Sequence, residues 1–241
     1  MANDMARFQG RTVLLTGVGR EGQLGEVVAR AFAEEGATLA LVDLDPEQVE
    51  ARARALRDAG FSARGHACNL SDPGQVDALA SDIRAAFDDR LDAVVNMAGG
   101  FAMSGPVAES DVGVWRRQME INLTTAYLAM RAFIPLLRPA RGAAVCFTSA
   151  AALPGEKAAR MSAYVAAKSA VIALVRAVAE EERDSGVRVN AVAPTAIRTA
   201  ANLASMGAST RYVEREEVAH TVLWLCSPAA SAITGQTIRL S

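Results

Sequence analysis

The sequence predicts an α/β fold, a predominantly parallel sheet with helices on both faces in a single domain, and three observations carry that expectation. Short runs rich in β-branched and apolar residues alternate along the chain with longer segments of helical period. The short runs are apolar throughout rather than alternately polar, as strands buried on both faces must be. Two of the helical segments open on an Asp-Pro pair, which places a residue without an N–H in the first turn, where that donor has no partner.

The first strand, residues 12–16, leads through a glycine-rich turn into a helix over 24–35 that Gly36 ends. A strand at 38–42 precedes a helix opened by Asp45-Pro46, and a strand at 63–67 precedes one opened by Ser71-Asp72-Pro73. Further strands are expected at 91–96, 143–148 and 187–192, separated by long helical stretches near 112–137 and 162–184. A last helix near 216–226 precedes a seventh strand at 236–240. No linker interrupts the series, so residues 1–241 read as one domain.

Composition narrows the function. Hydrophobic residues make up 51% and charged residues 22%, enough apolar material for a large core, which excludes disorder as the main state. The 25 basic and 27 acidic side chains leave a net charge of −2 with no long like-charged block, so no nucleic-acid partner and no membrane surface are expected. Cys68, Cys146 and Cys226 lie far apart and form no motif with His66 or His220, so no metal site is expected. An odd cysteine count without a framework suits a reducing, cytoplasmic location. The first eight residues carry an acid and no long apolar run, unlike a signal peptide. No uninterrupted apolar stretch reaches the roughly 18 residues of a membrane span.

In a parallel sheet of this kind a ligand sits beyond the carboxyl ends of the strands. After the first strand comes Thr16-Gly17-Val18-Gly19-Arg20-Glu21-Gly22-Gln23-Leu24-Gly25. Gly17, Gly19 and Gly22 spell G-x-G-x-x-G, and Gly25 adds a glycine where the helix begins. Such glycines let backbone approach a pyrophosphate whose charge the helix N-terminus favours; the plainer alternative is a flexible strand-to-helix turn. Asp43 ends the second strand, 26 residues after Gly17, where a carboxylate would accept ribose hydroxyls of NAD and repel the 2′-phosphate of NADP. Arg20 argues the other way, since a guanidinium could meet that phosphate, and the expectation is NAD(H) before NADP(H).

Tyr164 and Lys168 stand four apart in a helical segment, so both project from one face. A phenol titrates at about 10 alone, and an ammonium with a positive nicotinamide nearby would favour phenolate, which equips the pair for proton chemistry on an alcohol. The alternative is an amphipathic helix with both side chains merely at its surface.

From about Gly10 to Leu240 these residues resemble the short-chain dehydrogenase/reductases of the NAD(P)-binding type. Asn96-Met97-Ala98-Gly99 resembles the family's Asn-Asn-Ala-Gly after the fourth strand. Asn122, Ser149, Tyr164 and Lys168 resemble its catalytic tetrad, and the stretch from Pro194 through Thr195 and Ile197 to Thr199 resembles its Pro-Gly motif beside the nicotinamide. Asn69, followed by Leu70, stands where the family has its adenine-contacting Asp.

The resemblance implies a Rossmann-type, doubly wound seven-stranded sheet and hydride transfer between nicotinamide and a carbonyl or secondary alcohol. Tyr164 would move the proton and Ser149 would polarise the substrate oxygen. Lys168 would lower the Tyr164 pKa and bind the nicotinamide ribose, and Asn122 would hold a water. Gly17, Gly19, Gly22, Leu24, Gly25, Asp43, Asn69, Leu70, Asn96, Ala98, Gly99, Pro194, Thr195, Ile197 and Thr199, with Tyr164 and Lys168, would form the cofactor site.

The chain also departs from the family pattern. The glycine loop is two residues longer than usual, and Ser149 lies 15 residues before Tyr164, about two more than usual, with Thr148 as a fallback hydroxyl. Thr195 replaces a glycine, and residues 200–215 form a short substrate-covering segment. Gly100, Phe101, Ala102, Leu153, Arg160 and Met206 would border an apolar substrate pocket. A 3-oxoacyl-[acyl-carrier-protein] reductase-like ketoreductase and a catalytically silent NAD(H)-binding sensor or assembly subunit are the rival readings. An enoyl-type reductase is disfavoured, because those enzymes place more residues between Tyr and Lys. The helical stretches around Asn122 and Tyr164 carry more apolar surface than one sheet face covers, including Tyr127, Phe133, Leu174 and Val178. The resemblance implies that these helices form dimer or tetramer bundles, and on both grounds a homo-oligomer is expected.

Overall fold

In the computed structural model, which describes residues 6–241, the strands β1 (Thr12–Thr16), β2 (Thr38–Asp43), β3 (Ala63–Ala67), β4 (Ala93–Asn96), β5 (Ala143–Phe147), β6 (Arg188–Pro194) and β7 (Thr237–Leu240) pair in parallel in the order β3-β2-β1-β4-β5-β6-β7. The first five residues, part of the run read as no signal peptide, lie outside the described residues. Between the strands run α1 (Leu24–Glu34), α2 (Pro46–Asp58), α3 (Pro73–Ala86), α4 (Val112–Met119), α5 (Thr125–Leu137), α6 (Ser162–Glu181), α7 (Ala200–Met206) and α8 (Arg215–Cys226).

Two hydrophobic clusters, one on each face of the sheet, explain why the central strands are apolar on both sides. In β1, Val13 and Leu15 join the cluster formed with α1, α2 and α8, through Phe32, Leu56 and Leu223 among others. Leu14, between them, points the other way into the cluster of α3, α5 and α6, with Ile83, Phe133 and Val175. Successive strand side chains face opposite sides, so a sheet covered twice needs both sets apolar. The 20-residue α6 is long and apolar enough for a membrane span by length and composition, yet Val171, Val175 and Ala179 pack into the second cluster.

The helix starts form as the sequence indicates. Asp45 accepts from the backbone of Glu47 and Gln48, and Asp72 from that of Gly74 and Gln75, each with Pro in the first turn. Those backbone donors hold both carboxyls below the ordinary carboxylate range. The chain moves outward from β1 through β2 to β3, then crosses back to place β4 on the other side of β1. That reversal opens a crevice at the carboxyl ends of β1 and β4.

Three of the departures from the sequence expectation bear on how the chain reaches the site. The stretch 112–137 is not one uniform helix, because Glu120–Thr124 form a π turn between α4 and α5. The fourth strand begins at Ala93 rather than residue 91, since the Leu91 N–H donates to Leu136 O. Helix α7 lies inside the segment read as a short cover. It buries no residue, so no apolar period announced it, and its Thr199 cap accepts from Asn202 N at 3.2 Å.

Candidate active site

A cleft of about 630 Å³ follows the carboxyl ends of the strands. Its floor is the loop from β1 to α1. Gly17 has φ +72°, and a Cβ there would sit 2.8 Å from Ala98 N; one on Gly25 would sit 2.6 Å from Gly17 O. Only hydrogen fits at either position, so the loop lies flat against the β4 exit and against the first turn of α1. The N-cap of that helix, Gln23, makes no side-chain capping bond, and Gln23, Leu24 and Gly25 line the cleft. The result is a cradle of close-packed backbone at an uncapped helix start, which suits a phosphate.

Gly19 and Gly22 do not line the cleft. Gly19 N donates to Asp43 Oδ2 at 2.7 Å, and Leu44 N to Asp43 Oδ1 at 2.8 Å, so the β2 carboxylate anchors the loop while itself facing the cleft. Gly22 turns away: its N–H donates to Glu26 Oε2 at 2.7 Å, and its carbonyl accepts from Arg215 Nη1 at 3.0 Å and Ala200 N at 3.3 Å. The two extra loop residues thus carry the tip to the starts of α7 and α8. Asn96 stands behind the wall, accepting from Thr16 Oγ1 at 2.7 Å, while that oxygen accepts from Met97 N and Ala98 N at 3.2 Å each. The remaining residues expected at the cofactor, from Leu24 to Thr199, all line the cleft. At one end the Asn69 amide oxygen accepts from Ser71 N at 3.1 Å, making a tight turn beside Leu70.

The end of β5 and the first turns of α6 bring the reactive side chains to the same cleft. Ser149, Tyr164, Lys168 and Asn122 all line it. Lys168 is buried, donates from Nζ to Phe147 O at 2.9 Å, and lies 6.0 Å from the centre of the Tyr164 ring. Burial lowers its pKa to about 8, against a smaller upward pull from Cys146. Burial likewise raises the Tyr164 phenol above its ordinary value, while a hydrogen bond from Ser149 pulls it back. In the protein by itself, then, desolvation outweighs the Ser149 hydrogen bond and leaves the phenol above its ordinary value. Thr148 is no spare hydroxyl, because its Oγ1 donates to Lys168 O at 2.8 Å and ties α6 to β5.

Asn122 sits in the π turn. Its Nδ2 donates to Gly100 O at 2.8 Å and reaches Gln118 O at 3.2 Å and Gln118 Oε1 at 3.1 Å; its Oδ1 accepts from Gly100 N at 3.1 Å. Both amide hydrogens therefore have protein acceptors, which leaves none to donate to the expected water.

Of the residues expected at the substrate pocket, Gly100 and Phe101 line the cleft, and the Phe101 ring stands edge-on to Tyr164 at 5.0 Å. Ala102, Leu153, Arg160 and Met206 do not line it. The Arg160 carbonyl accepts from Ser104 N at 2.9 Å and Gly105 N at 3.1 Å, fastening two loops together. Sequence reading missed Arg117, Ile121 and Thr125, which line the cleft from α4 through α5. Their spacing of four is a legible signal once Asn122 is assigned to a helix. Ala201 and Asn202 of α7 close the cleft from the covering segment. The neck of that segment is shut by Arg198 Nε donating to Glu214 Oε1 at 2.7 Å and by an isolated bridge between Ile197 and Val213. Among the described residues no group of three His, Cys, Asp or Glu could hold a metal ion.

A family model described as enoyl-(acyl carrier protein) reductase matches residues 17–240. The 2-(S)-hydroxypropyl-CoM dehydrogenase 3 of Xanthobacter autotrophicus is 32% identical, over 95% of this chain and 94% of its own. The cis-4-hydroxycyclohexanecarboxylate dehydrogenase of Sinomonas cyclohexanicum is 35% identical, over 95% of this chain and 94% of its own. Among solved structures, a 3-oxoacyl-[acyl-carrier protein] reductase with bound NAD from Brucella melitensis is similar with a TM-score of 0.85 at 31% identity, covering 98% of this chain and 92% of that one.

Proposed function

The chain belongs to the short-chain dehydrogenase/reductase family, and on that premise we propose that it moves a hydride between nicotinamide, NAD(H) before NADP(H), and a small-molecule carbonyl or secondary alcohol, with Tyr164 as general acid and base. Oxidoreduction at an alcohol or carbonyl carbon is the chemistry of its relatives, and this chain is an oxidoreductase of that kind.

The residues present fit a dinucleotide. The cradle of Gly17 and Gly25 at the start of α1 would hold the pyrophosphate, Asp43 the adenosine ribose, and Asn69 and Leu70 would border the adenine. Ala98, Gly99, Pro194, Thr195, Ile197 and Thr199 would flank the nicotinamide end, with Lys168 on its ribose. When bound, the dinucleotide supplies the hydride donor or acceptor.

The chain's own residues handle the proton. The raised Tyr164 pKa keeps the phenol protonated near neutrality, ready to donate from Oη to a carbonyl oxygen in the reductive direction. In the oxidative direction the phenol must first lose that proton, and a charged Lys168 on the same helix face favours the phenolate. Ser149 would orient the substrate oxygen, and the Phe101 ring packs edge-to-face with the Tyr164 ring. One observation carries the reading: Tyr164, Lys168 and Ser149 share a single cleft with a glycine cradle.

For NAD the support is the Asp43 carboxylate, oriented by two backbone N–H groups toward the ribose position. The similarity to a 3-oxoacyl-[acyl-carrier protein] reductase whose structure holds bound NAD keeps 3-oxoacyl thioesters among the candidate substrates. A dimer or tetramer in the cytoplasm completes the proposal, supported by exposed Val112, Trp115 and Tyr127 on α4 and α5 and by three free buried cysteines.

The test is nicotinamide absorbance with NADH and NADPH separately against ketones, 3-oxoacyl thioesters and secondary alcohols. Turnover preferring NADH, and reduced about 10²- to 10⁴-fold in Tyr164→Phe while NADH binding persists, is the expected result. Preference for NADPH would overturn the Asp43 argument. Binding without turnover would favour the sensor or assembly role.

A further inference from the structure

We propose that Gln118 is a positioning residue, which locks the orientation of the Asn122 amide and through it the Gly99–Gly100 backbone at the centre of the cleft. The inference rests on the oxidoreductase reading of that cleft, which Asn122 lines beside Lys168 and Tyr164.

Of the eight residues of α4, all described, Gln118 alone is buried, at 3% exposure. An amphipathic helix ordinarily turns an apolar side chain to that position, and burying an amide is unfavourable unless it is hydrogen-bonded. The partner is in place: Gln118 Oε1 accepts from Asn122 Nδ2 at 3.1 Å, one turn further on. The π turn at Glu120–Thr124 widens the helix between the two residues, the kind of local opening that admits a side chain into the backbone ladder.

The geometry then leaves Asn122 one workable orientation. Its Oδ1 accepts from Gly100 N while its Nδ2 donates to Gly100 O. Rotating the amide by half a turn would set Nδ2 against the Gly100 N–H and Oδ1 against three oxygens, those of Gly100, Gln118 and the Gln118 side chain. Gln118 Oε1 is the side-chain oxygen among those three. It adds a buried acceptor that the backbone alone lacks, at the point where the widened turn loosens the helix. Gly99 depends on the same arrangement, since a Cβ on it would lie 2.6 Å from Asn122 Oδ1 and 3.3 Å from Lys168 Nζ. The Gly99 backbone is thus threaded between the amide and the ammonium. A shift of Asn122 displaces the wall that faces Lys168 and Tyr164 without touching either.

The test compares wild type with Gln118→Leu, which removes the acceptor at similar volume, and Gln118→Glu, which keeps an oxygen there. In Gln118→Leu, kcat should fall about 10- to 100-fold, the loss that a small misplacement in a reacting site produces, while the dissociation constant for NADH stays within about twofold. Hydrogen exchange at the Gly100 amide should speed up by a similar factor. Gln118→Glu should restore most of both. A folded Gln118→Leu protein with unchanged kcat and unchanged Gly100 protection overturns the proposal, as does a variant that loses only thermal stability. If Gln118→Leu does not fold, Gln118→Asn carries the same comparison, because it keeps the amide but withdraws its oxygen from Asn122. Gly100 exchange needs no turnover, so a wild type that turned over no substrate would sink the oxidoreductase reading and leave the Gln118 comparison readable.

Discussion

At the scale of single residues, burial rather than pairing governs the ionisable groups of the cleft. Lys168 in the folded chain titrates at about 8, below the ordinary lysine value, so the unfolded chain holds that proton more tightly. The resulting penalty on folding is fully present below pH 8 and shrinks as the pH rises toward the unfolded value. The buried thiols act in the opposite sense, with Cys68 pushed up to about 11 and Cys146 and Cys226 to about 12. Their opposition begins near pH 9, where unfolded thiols ionise. Lys168→Met without dinucleotide should therefore melt above wild type at pH 7, and the gap should narrow between pH 8 and 9. Parallel melting curves across that range would count against a buried Lys168. Tyr164 and Lys168 were legible in the sequence by their spacing, and Ser149 by resemblance to a known motif. The balance of forces on them was not, because desolvation depends on what the rest of the chain packs above them.

At the scale of elements, the glycine loop and the covering segment act on each other. The loop tip at Gly22 holds Ala200 and Arg215 through its carbonyl, and its N–H is held by Glu26, which pairs with Arg52 of α2 at 2.9 Å. The covering segment is also braced by the Arg198–Glu214 pair at its neck, by the Tyr212 hydroxyl donating to Gly207 O at 2.8 Å, and by Val213 packed into the first core cluster. Exposed ion pairs of that kind contribute little, about 0 to 1 kcal/mol. Arg215→Ala should accordingly speed protease cleavage within residues 199–212 several-fold while moving the global melting temperature little. Cleavage at the wild-type rate would mean that the loop does not hold the segment. The extra length of the loop was visible in the sequence, but its destination was not, since Gly22 and Arg215 stand 193 residues apart. Helix α7 and the π turn escaped for a related reason. Neither has an apolar period of its own, and each takes its shape from the residues it meets.

At the scale of the whole molecule, the sheet order places every loop of the cleft at one edge. The reversal between β1 and β4 brings Gly17 against Ala98 and puts Ser149, at the end of the neighbouring β5, beside the same crevice. Helices α4 and α5 leave Val112, Trp115 and Tyr127 exposed, the last at 51%. Large apolar side chains left exposed on consecutive helices suit a contact between copies of the chain. Light scattering at micromolar concentration should return a dimer or tetramer mass, and the 25.3 kDa of one chain would contradict that expectation.

By itself the sequence determined the parallel α/β architecture, the order of its elements and most of the cleft's lining. Apolar runs that must be buried on both sides, Asp-Pro helix starts and glycines before a helix are local signals, set by the chain's own stereochemistry and solubility. What only the tertiary structure decided is which of those residues face the cleft and in which state. Gly19 and Gly22 turned into structural supports, Thr148 became a tie between β5 and α6, and Gln118 became the partner of Asn122. Each outcome depends on a hydrogen bond or a burial between segments distant in sequence or across an irregular turn, and no local pattern encodes such a meeting.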